Sequence, residues 1–272
     1  MTEIAQPHID RALAAVETER DVLQAERDAF QTLLRRVSAI EVDTGGPVAR
    51  PGAVTAVSVP RSSGEARGLE AVRSAYRDTV MAVPHYDEEY DESLRENLAA
   101  EFGAQLAARV VDGNALTRQV RDGLLDACRQ SREERKRVLQ HVERERDRLV
   151  AFETRLSEIE RSIIEAGAAI ASASGSRELS RIDRRLATLQ SRCLDLADDR
   201  QAQVQAPSQT DIPGTDFGLH EYLYGEMETP APVLSDVAAC LETIRRHRIR
   251  GLRAELAGRL ESASEGGLLA QS

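Results

Sequence analysis

Two short stretches of the chain combine histidine with carboxylates, the side chains that zinc and non-haem iron prefer. They are residues 85–90, with the sequence HYDEEY, and residues 216–221, with the sequence DFGLHE. Neither contains HExxH, and there is no pair of ExxH motifs. An acidic helix start with hydrogen-bonded polar rings explains both stretches equally well, so we predict no cofactor. The side chains that would ligate a metal are His85, Glu88, Glu89 and His220.

A second candidate for chemistry is the basic run RRHRIR at residues 245–250. Clustered arginines can contact phosphates of a nucleic acid. Acidic residues flank the run at Glu242 and Glu255, and such runs are usually solvated or paired with neighbouring acids. Nucleic-acid contact is therefore an alternative hypothesis, and it would use Arg245, Arg246, Arg248 and Arg250.

Motifs of the common enzyme classes are missing from the sequence. There is no GxSxG, no phosphate-binding loop with a lysine and no dinucleotide-binding glycine pattern. The three cysteines have no ligand spacing, and an odd number closes no disulfide framework. We therefore predict no catalytic residues and expect buried thiols in a reducing compartment, at Cys128, Cys193 and Cys240.

Composition excludes several further classes. The 272 residues include 46 acidic and 36 basic ones, for a net charge of −10, and only Lys136 among the basic residues is lysine. No stretch approaches the ~20 apolar residues that cross a bilayer, and the acidity argues against a dedicated nucleic-acid binder. The first eleven residues, MTEIAQPHIDR, have no apolar core, so we expect no secretory signal and a cytoplasmic location.

Heptad spacing of apolar residues predicts an all-α protein, namely an elongated antiparallel coiled-coil or helical bundle with a small helical head. The spacing indicates an N-terminal coiled-coil helix over 1–40, a long helical hairpin or stalk over 113–206, and a C-terminal helix over 233–262. The short loop near residue 175 implies antiparallel neighbours. Whether 115–173 forms one unbroken helix is left open by the sequence.

The remaining segments differ from the stalk in charge and in aromatic content. Residues 63–112 hold eleven acids and five arginines, and residues 207–232 hold five acids and no base. Seven of the nine Phe and Tyr rings also lie there. We interpret 63–112 as an acidic head that 207–232 joins, 41–62 as a flexible linker and 263–272 as a disordered tail. The predicted interaction surface of the head comprises Tyr76, His85, Tyr86, Tyr90, Tyr222 and Tyr224.

The stretch from Tyr76 to Gly103, YRDTVMAVPHYDEEYDESLRENLAAEFG, resembles the signature of a haloarchaeal family of unknown function. The opening stretch from His8 to Arg20, HIDRALAAVETER, is similar to the N-terminal helix of that family. The resemblance implies an archaeal cytoplasm with high salt. It supplies no catalytic residue.

These observations favour a non-enzymatic interaction or scaffold protein that presents the head on the stalk to a protein partner. Exposed heptad positions would also drive self-association. The two alternatives are a nucleic-acid-associated regulator acting through 245–250 and a metal-binding protein or enzyme using the histidines and glutamates named above. No membrane contact is expected.

Overall fold

The computed structural model describes residues 7–42, 62–205 and 218–269, and it describes side chains within 7–42, 67–205 and 218–260. Every regular element among the described residues is helical, which confirms the all-α prediction. None of these helices combines the length and the apolar character needed to span a bilayer. Three expected segments lie wholly or partly outside the described part: most of the linker over 41–62, residues 207–217 of the second acidic segment, and all side chains of the tail over 263–272.

The elements follow one another as helices of very different lengths. Among the described residues four helices have 30 residues or more, one has 16, and the others are shorter; one 3-10 turn lies at Val80–Ala82. The helices are α1 (Pro7–Ala39), α2 (Ser62–Arg77), α3 (Tyr86–Glu89), α4 (Leu94–Phe102), α5 (Ala104–Val111), α6 (Arg118–Ser172), α7 (Ser176–Gln205), α8 (Leu219–Tyr224) and α9 (Pro232–Leu269).

The contacts divide the chain into two compact units. The middle unit is Glu19–Gln140, and the terminal unit combines Met1–Thr18 with His141–Ser272. Both boundaries fall within long helices, so α1 and α6 each contribute to both units.

The middle unit has an apolar core supplied by α1, α2, α4, α5 and the first half of α6. Its largest fully buried side chains include Phe30, Leu69, Tyr76, Leu98 and Leu124. The residues from 91 to 111 do not form one continuous helix, because Gly103 has φ 84° and ends α4 before α5 begins. Ser93 starts α4 with a capping box to Glu96, as the sequence suggests.

The terminal unit is built on α6, α7 and α9. The apolar heptad positions of α6 from Val142 to Ile170 and of α7 from Leu179 to Leu196 are buried. α7 returns along α6 after the short turn at 173–175 and packs against α9. The start of α1 joins this unit, because the Ile9 amide donates to Asp236 Oδ2 on α9 at 2.8 Å. That carboxylate satisfies one of the amides that every helix start leaves unpaired.

Candidate functional site

The first group of functional side chains surrounds Glu26 of α1 in the middle unit, and we name it the Glu26 cluster. Glu26 is buried, and its Oε1 accepts a hydrogen bond from the Tyr90 hydroxyl at 2.7 Å. The same oxygen lies 3.3 Å from His85 Nε2. Its other oxygen, Oε2, accepts from Arg135 Nε of α6 at 3.0 Å. The histidine and tyrosine of the 85–90 stretch therefore contact a carboxylate from a distant part of the chain.

Arg135 completes the Glu26 cluster by joining two carboxylates. Its Nη1 donates to Glu101 Oε2 of α4 at 3.1 Å, and its Nη2 donates to Oε1 of the same residue. Its guanidinium carbon lies 5.0 Å from the centre of the Phe30 ring. Burial by itself would lower the pKa of Arg135, but Glu101 and Glu26 outweigh it and raise that pKa. Arg135 is therefore permanently charged, with two negative partners.

The space inside the Glu26 cluster is too small for a substrate. The cavity between Glu26, Tyr90 and Arg135 has a volume of about 10 Å³. That is the volume needed by about one water molecule. The polar atoms of the cluster therefore satisfy one another, and the arrangement joins α1, α3, α4 and α6 as a structural ion-pair network.

The other tyrosines of the 63–112 segment lie in the core. The Tyr76 hydroxyl donates to Asn97 Oδ1 at 2.7 Å, and the ring meets Phe102 edge-on at a centroid distance of 5.7 Å. The Tyr86 hydroxyl donates to the carbonyl of Glu92 at 3.2 Å. Burial raises the pKa of Tyr76 far above its ordinary value, so the phenol stays neutral.

The second group surrounds Glu145 of α6 in the terminal unit, and we name it the Glu145 cluster. Glu145 is 0% exposed. Arg200 of α7 binds it with both ends of the guanidinium: Nη2 donates to Oε1 at 2.6 Å and Nη1 to Oε2 at 3.4 Å. The Tyr224 hydroxyl of α8 donates to the same Oε1 at 2.9 Å. The Arg200 guanidinium carbon also lies 5.8 Å from the centre of the Phe152 ring.

His220 is the fourth polar member of the Glu145 cluster. Its Nδ1 lies 3.3 Å from Arg200 Nη2. Since a guanidinium only donates, Nδ1 must be the acceptor and the ring proton must sit on Nε2, which is 3.9 Å from Glu145 Oε2. Burial lowers the pKa of His220; Glu145 opposes this effect, whereas Arg200 and Arg148 add to it. The neutral imidazole is therefore favoured at pH 7.

The predicted interaction surface is corrected by these positions. Tyr76, Tyr86 and Tyr224 are buried, so they cannot contact a partner from the surface. His85 and Tyr90 are partly covered and bind Glu26, and of the six predicted residues only Tyr222 is largely exposed. Most of the tyrosines that were predicted to form a contact surface therefore pack inside the protein instead.

The expectation of one shared head is corrected as well. The segment 63–112 belongs to the middle unit, whereas the described residues 218–232 belong to the terminal unit. Each segment instead covers a buried glutamate of its own unit, Glu26 in one and Glu145 in the other.

The candidate metal ligands do not come together. Within the described ranges no group of three or more His, Cys, Asp or Glu side chains is arranged to hold a metal ion. His85 binds Glu26, and His220 lies beside Arg200 in the other unit. Glu88 and Glu89 are exposed on α3. The histidines therefore act as neighbours of buried ion pairs in the described structure.

The basic run lies on α9, and the structure divides it. Arg248 donates from Nε to Asp183 Oδ1 at 2.8 Å and from Nη1 to Gln190 at 3.0 Å. Arg250 donates to the Gly167 carbonyl. Arg245 and Arg246 are exposed, and among the described residues they pair with Glu242 and Thr243, one turn away on the same helix. Half of the run is therefore committed to packing within the terminal unit.

The cysteines are all buried. Cys193 of α7 and Cys240 of α9 hydrogen bond to each other, and Cys240 Sγ also donates to Glu160 Oε1 at 3.8 Å. Burial raises the pKa of Cys128 to about 12. The pKa of Cys240 is raised as well, by the Cys193 hydrogen bond and by burial, so the thiols of Cys128 and Cys240 are protonated at neutral pH. The same hydrogen bond lowers the pKa of Cys193.

Sequence reasoning missed the central charged residues of both clusters, although the heptads contain a signal for them. Glu26 and Arg200 lie at seam spacing, three residues after Leu23 and four residues after Leu196. Glu145 lies three residues after Val142, and Arg135 lies seven residues before Val142. A charged residue at an interior heptad position is paired when it is buried. Each glutamate at such a position therefore indicates an arginine partner, and each arginine indicates a glutamate.

One further feature of the terminal unit is an exposed apolar face on the second half of α9, which we name the α9 face. It consists of residues spaced by three or four positions along the helix. They are Ile249, Leu252, Leu256 and Leu260, which are 40%, 57%, 60% and 72% exposed.

Fold and sites define the class: an all-helical protein whose two compact units each contain a buried glutamate–arginine cluster that joins helices. The model of the family described as "Domain of unknown function (DUF7260)" matches residues 7–248, so the chain belongs to that family. No curated protein and no solved structure matches the chain. The matched range includes both clusters and ends just before the α9 face begins.

Proposed function

We propose that this chain is a non-enzymatic interaction protein whose docking site is the α9 face, and that its partner is an amphipathic helix with acidic flanks. The observation that carries this proposal is the exposure of the four apolar side chains on α9. In the first half of the same helix, Val237, Cys240 and Ile244 are buried in the core of the terminal unit. The apolar pattern continues along the helix, but its later positions have nothing described to cover them.

A groove beside this face supports the docking of a helix. It has a volume of about 510 Å³, and its walls come from α7 and α9. Leu194 of α7 is 48% exposed and adds a second apolar wall beside Ile249 and Leu252. An amphipathic helix that lays its apolar side into such a groove is a common mode of protein recognition.

Charge selects the kind of helix. Arg245 and Arg259 border the α9 face with exposed guanidinium groups, and Arg246 and Arg253 are exposed on the same helix. Glutamates at the flanks of the partner helix would complement them, whereas lysines would repel them.

The same arginines are the basis of the nucleic-acid alternative. It is less well supported, because Arg248 and Arg250 donate to groups within the terminal unit, and because an apolar stripe has no role in phosphate binding. A short duplex of DNA and one of RNA therefore belong in the binding experiment as competitors.

A cytoplasm with high salt, of the haloarchaeal kind, is part of the proposal. The large acid excess and the replacement of nearly all lysine by arginine support it. At about 1 M salt the Debye length is only about 3 Å. Apolar contacts would then supply most of the affinity, and the arginines would supply orientation.

The test uses two synthetic peptides of three heptads that share a leucine seam and differ only in Glu or Lys flanks. Fluorescence anisotropy with the full chain is expected to show at least about tenfold tighter binding of the Glu peptide at low salt. The double variant Leu256→Ser/Leu260→Ser should weaken that binding by at least about tenfold. The matched control is Ala257→Ser, which changes an exposed residue of α9 outside the stripe.

Four results would overturn the proposal. Equal binding of both peptides would exclude the charge argument, and unchanged binding by the leucine double variant would exclude the α9 face. A wild-type dimer in sedimentation that the leucine double variant dissolves would assign the face to a second copy of the chain. The nucleic-acid alternative would be favoured by two results together: a DNA or RNA duplex displaces the Glu peptide, and the variant Arg245→Gln/Arg246→Gln no longer shows this displacement.

A further inference from the structure

A cavity of about 270 Å³ lies in the terminal unit between the end of α6, the first half of α7 and α9. We name it the α9 cavity. About half of its wall is apolar, and the apolar residues come from all three helices. They are Ile170, Leu179, Ile182, Leu186 and Leu252. An apolar cavity of about 150 Å³ is enough to hold benzene, so this one has room for a larger ring compound.

Gly251 of α9 forms part of the cavity wall. A Cβ added to Gly251 would meet only Ile170 Cδ1, at 3.8 Å, so the missing side chain leaves open space and does not relieve a clash. Glycine inside a helix lowers helix stability. The glycine therefore costs helix stability at a position where alanine would fit, and the missing side chain leaves the adjoining part of the cavity open.

A second glycine, Gly167 of α6, has the opposite role. A Cβ there would lie 2.5 Å from His247 Nε2, so the absence of a side chain lets the imidazole pack directly against the α6 backbone. His247 lines the cavity, and its position is fixed by this contact. Burial lowers the pKa of His247, and Arg250 and Arg246 lower it further, so the ring is neutral at pH 7. A neutral imidazole offers one acceptor and one donor.

The charged side chains around the cavity already have partners. Arg248 donates to Asp183, and Glu255 accepts from Ser176 and from Arg259. Arg184 is exposed, and its Nε donates to the Ser180 carbonyl at 3.4 Å. The described residues offer no buried, unpaired charge beside the apolar part of the cavity. An ion bound there would lose its hydration without gaining a charged partner, so a neutral molecule is favoured.

We propose that the α9 cavity binds a small, neutral, mostly apolar ring compound of the phenol or indole class, whose hydroxyl or N–H donates to His247. Leu252 belongs to both the α9 face and the α9 cavity. The two proposals can still fail separately, because the peptide test depends on Leu256 and Leu260, which do not line the cavity.

The experiment is calorimetric titration of the full chain with phenol, indole and indole-3-carboxylate. Phenol and indole should bind saturably, and the carboxylate should bind at least about tenfold more weakly. Gly251→Leu places a side chain in the cavity and should abolish indole binding. The matched control is Gly258→Leu on the same helix, where an added Cβ meets nothing within 4 Å, and binding should be unchanged.

A second variant tests the hydrogen bond. His247→Phe keeps a planar ring against Gly167 and removes the acceptor, so indole should bind about fivefold more weakly. Benzene, which donates no hydrogen bond, should bind both forms equally. Circular dichroism confirms that each variant is folded. The proposal is wrong if the wild-type chain shows no saturable binding of phenol or indole, if Gly251→Leu binds indole as well as Gly258→Leu does, or if only the carboxylate binds.

Discussion

In each compact unit a buried glutamate on a long helix meets an arginine from another long helix, and a tyrosine hydroxyl, a histidine ring and a phenylalanine ring surround the pair. In the middle unit the pair is Glu26 with Arg135, and in the terminal unit it is Glu145 with Arg200. The histidine and tyrosine come from one short segment in each case, at 85–90 and at 220–224.

The two clusters differ in their charge balance. Arg135 has two carboxylate partners, Glu26 and Glu101, so the Glu26 cluster has an excess of negative charge. Glu145 has Arg200 bound at both oxygens and Arg148 at 3.8 Å, so the Glu145 cluster has an excess of positive charge. If Glu26 loses its charge, Arg135 is still paired with Glu101. If Glu145 loses its charge, Arg200 stays buried without a carboxylate partner among the described residues. The cost of breaking the two clusters should therefore be unequal.

The largest effect is expected for Glu145→Gln, which keeps the side-chain volume and removes the charge. It leaves a buried guanidinium unpaired and should lower the free energy of unfolding by about 3–5 kcal/mol. Urea denaturation followed by circular dichroism measures the loss. Glu143→Gln, an exposed change on the same helix, is the control and should stay within about 0.5 kcal/mol. A loss below about 1 kcal/mol for Glu145→Gln would contradict the role of this cluster.

A smaller effect is expected for Glu26→Gln. Arg135 keeps both hydrogen bonds to Glu101, so the loss should be about 2 kcal/mol, the range for a hydrogen bond to a charged group. Asp28→Asn is the control on α1, because Asp28 is exposed and pairs only with its neighbour Arg27. Equal losses for Glu26→Gln and Glu145→Gln, measured under the same conditions, would show that the charge balance does not matter.

Next in size is the loss of a single tyrosine hydroxyl. Tyr224→Phe removes a buried donor to Glu145 and should cost about 1.5 kcal/mol, whereas Tyr90→Phe, which is less buried, should cost about 1 kcal/mol. The exposed Tyr222 is the reference, and Tyr222→Phe should change stability by less than about 0.5 kcal/mol. If all three substitutions cost the same, the tyrosines contribute through ring packing and not through their hydroxyls.

Much of the fold follows from the heptad pattern, because burial of an apolar seam requires a helix of the matching period. The pattern predicts every buried position of α7 from Leu179 to Leu196. It does not predict the break at Gly103, because glycine is tolerated in a helix unless the tertiary structure requires a positive φ. It also treats Leu252 and Leu241 alike, although the first is largely exposed, since periodicity shows which residues share a face and not what covers that face.

The sites were less predictable from sequence than the helices. The segments that hold the aromatic rings and histidines were identified as unusual, but their partners are distant in sequence. Arg200 lies 20 positions from His220, and Glu145 lies 79 positions from Tyr224. Only the folded chain brings such residues together. The two phenylalanines of the long helices, Phe30 and Phe152, were the best available signal, because each lies under the arginine of its cluster. Charged residues at seam positions complete that signal.

The smallest effect, and the one that sharpens the comparison most, concerns pH. In the folded chain burial, together with Arg200 and Arg148, depresses the pKa of His220 despite the opposing Glu145, whereas an unfolded histidine titrates near about 6.5. As pH falls below that value the unfolded chain takes up the proton first, so stability present above about pH 6.5 is lost as pH falls toward the folded-state pKa. Burial lowers the pKa of His141 and His247 too, so they add loss in the same direction.

His220→Gln should therefore flatten the fall in the urea midpoint between about pH 7 and pH 5 without abolishing it, because His141 and His247 remain. Tyr222→Phe, a neighbour on α8 that does not titrate in this range, should keep the wild-type slope. The excess positive charge around His220 is what opposes its protonation. The single variant Arg148→Gln removes one of those charges, so it should also make the fall of the urea midpoint shallower. A steeper fall in His220→Gln would mean that Glu145 outweighs burial and the arginines at this imidazole.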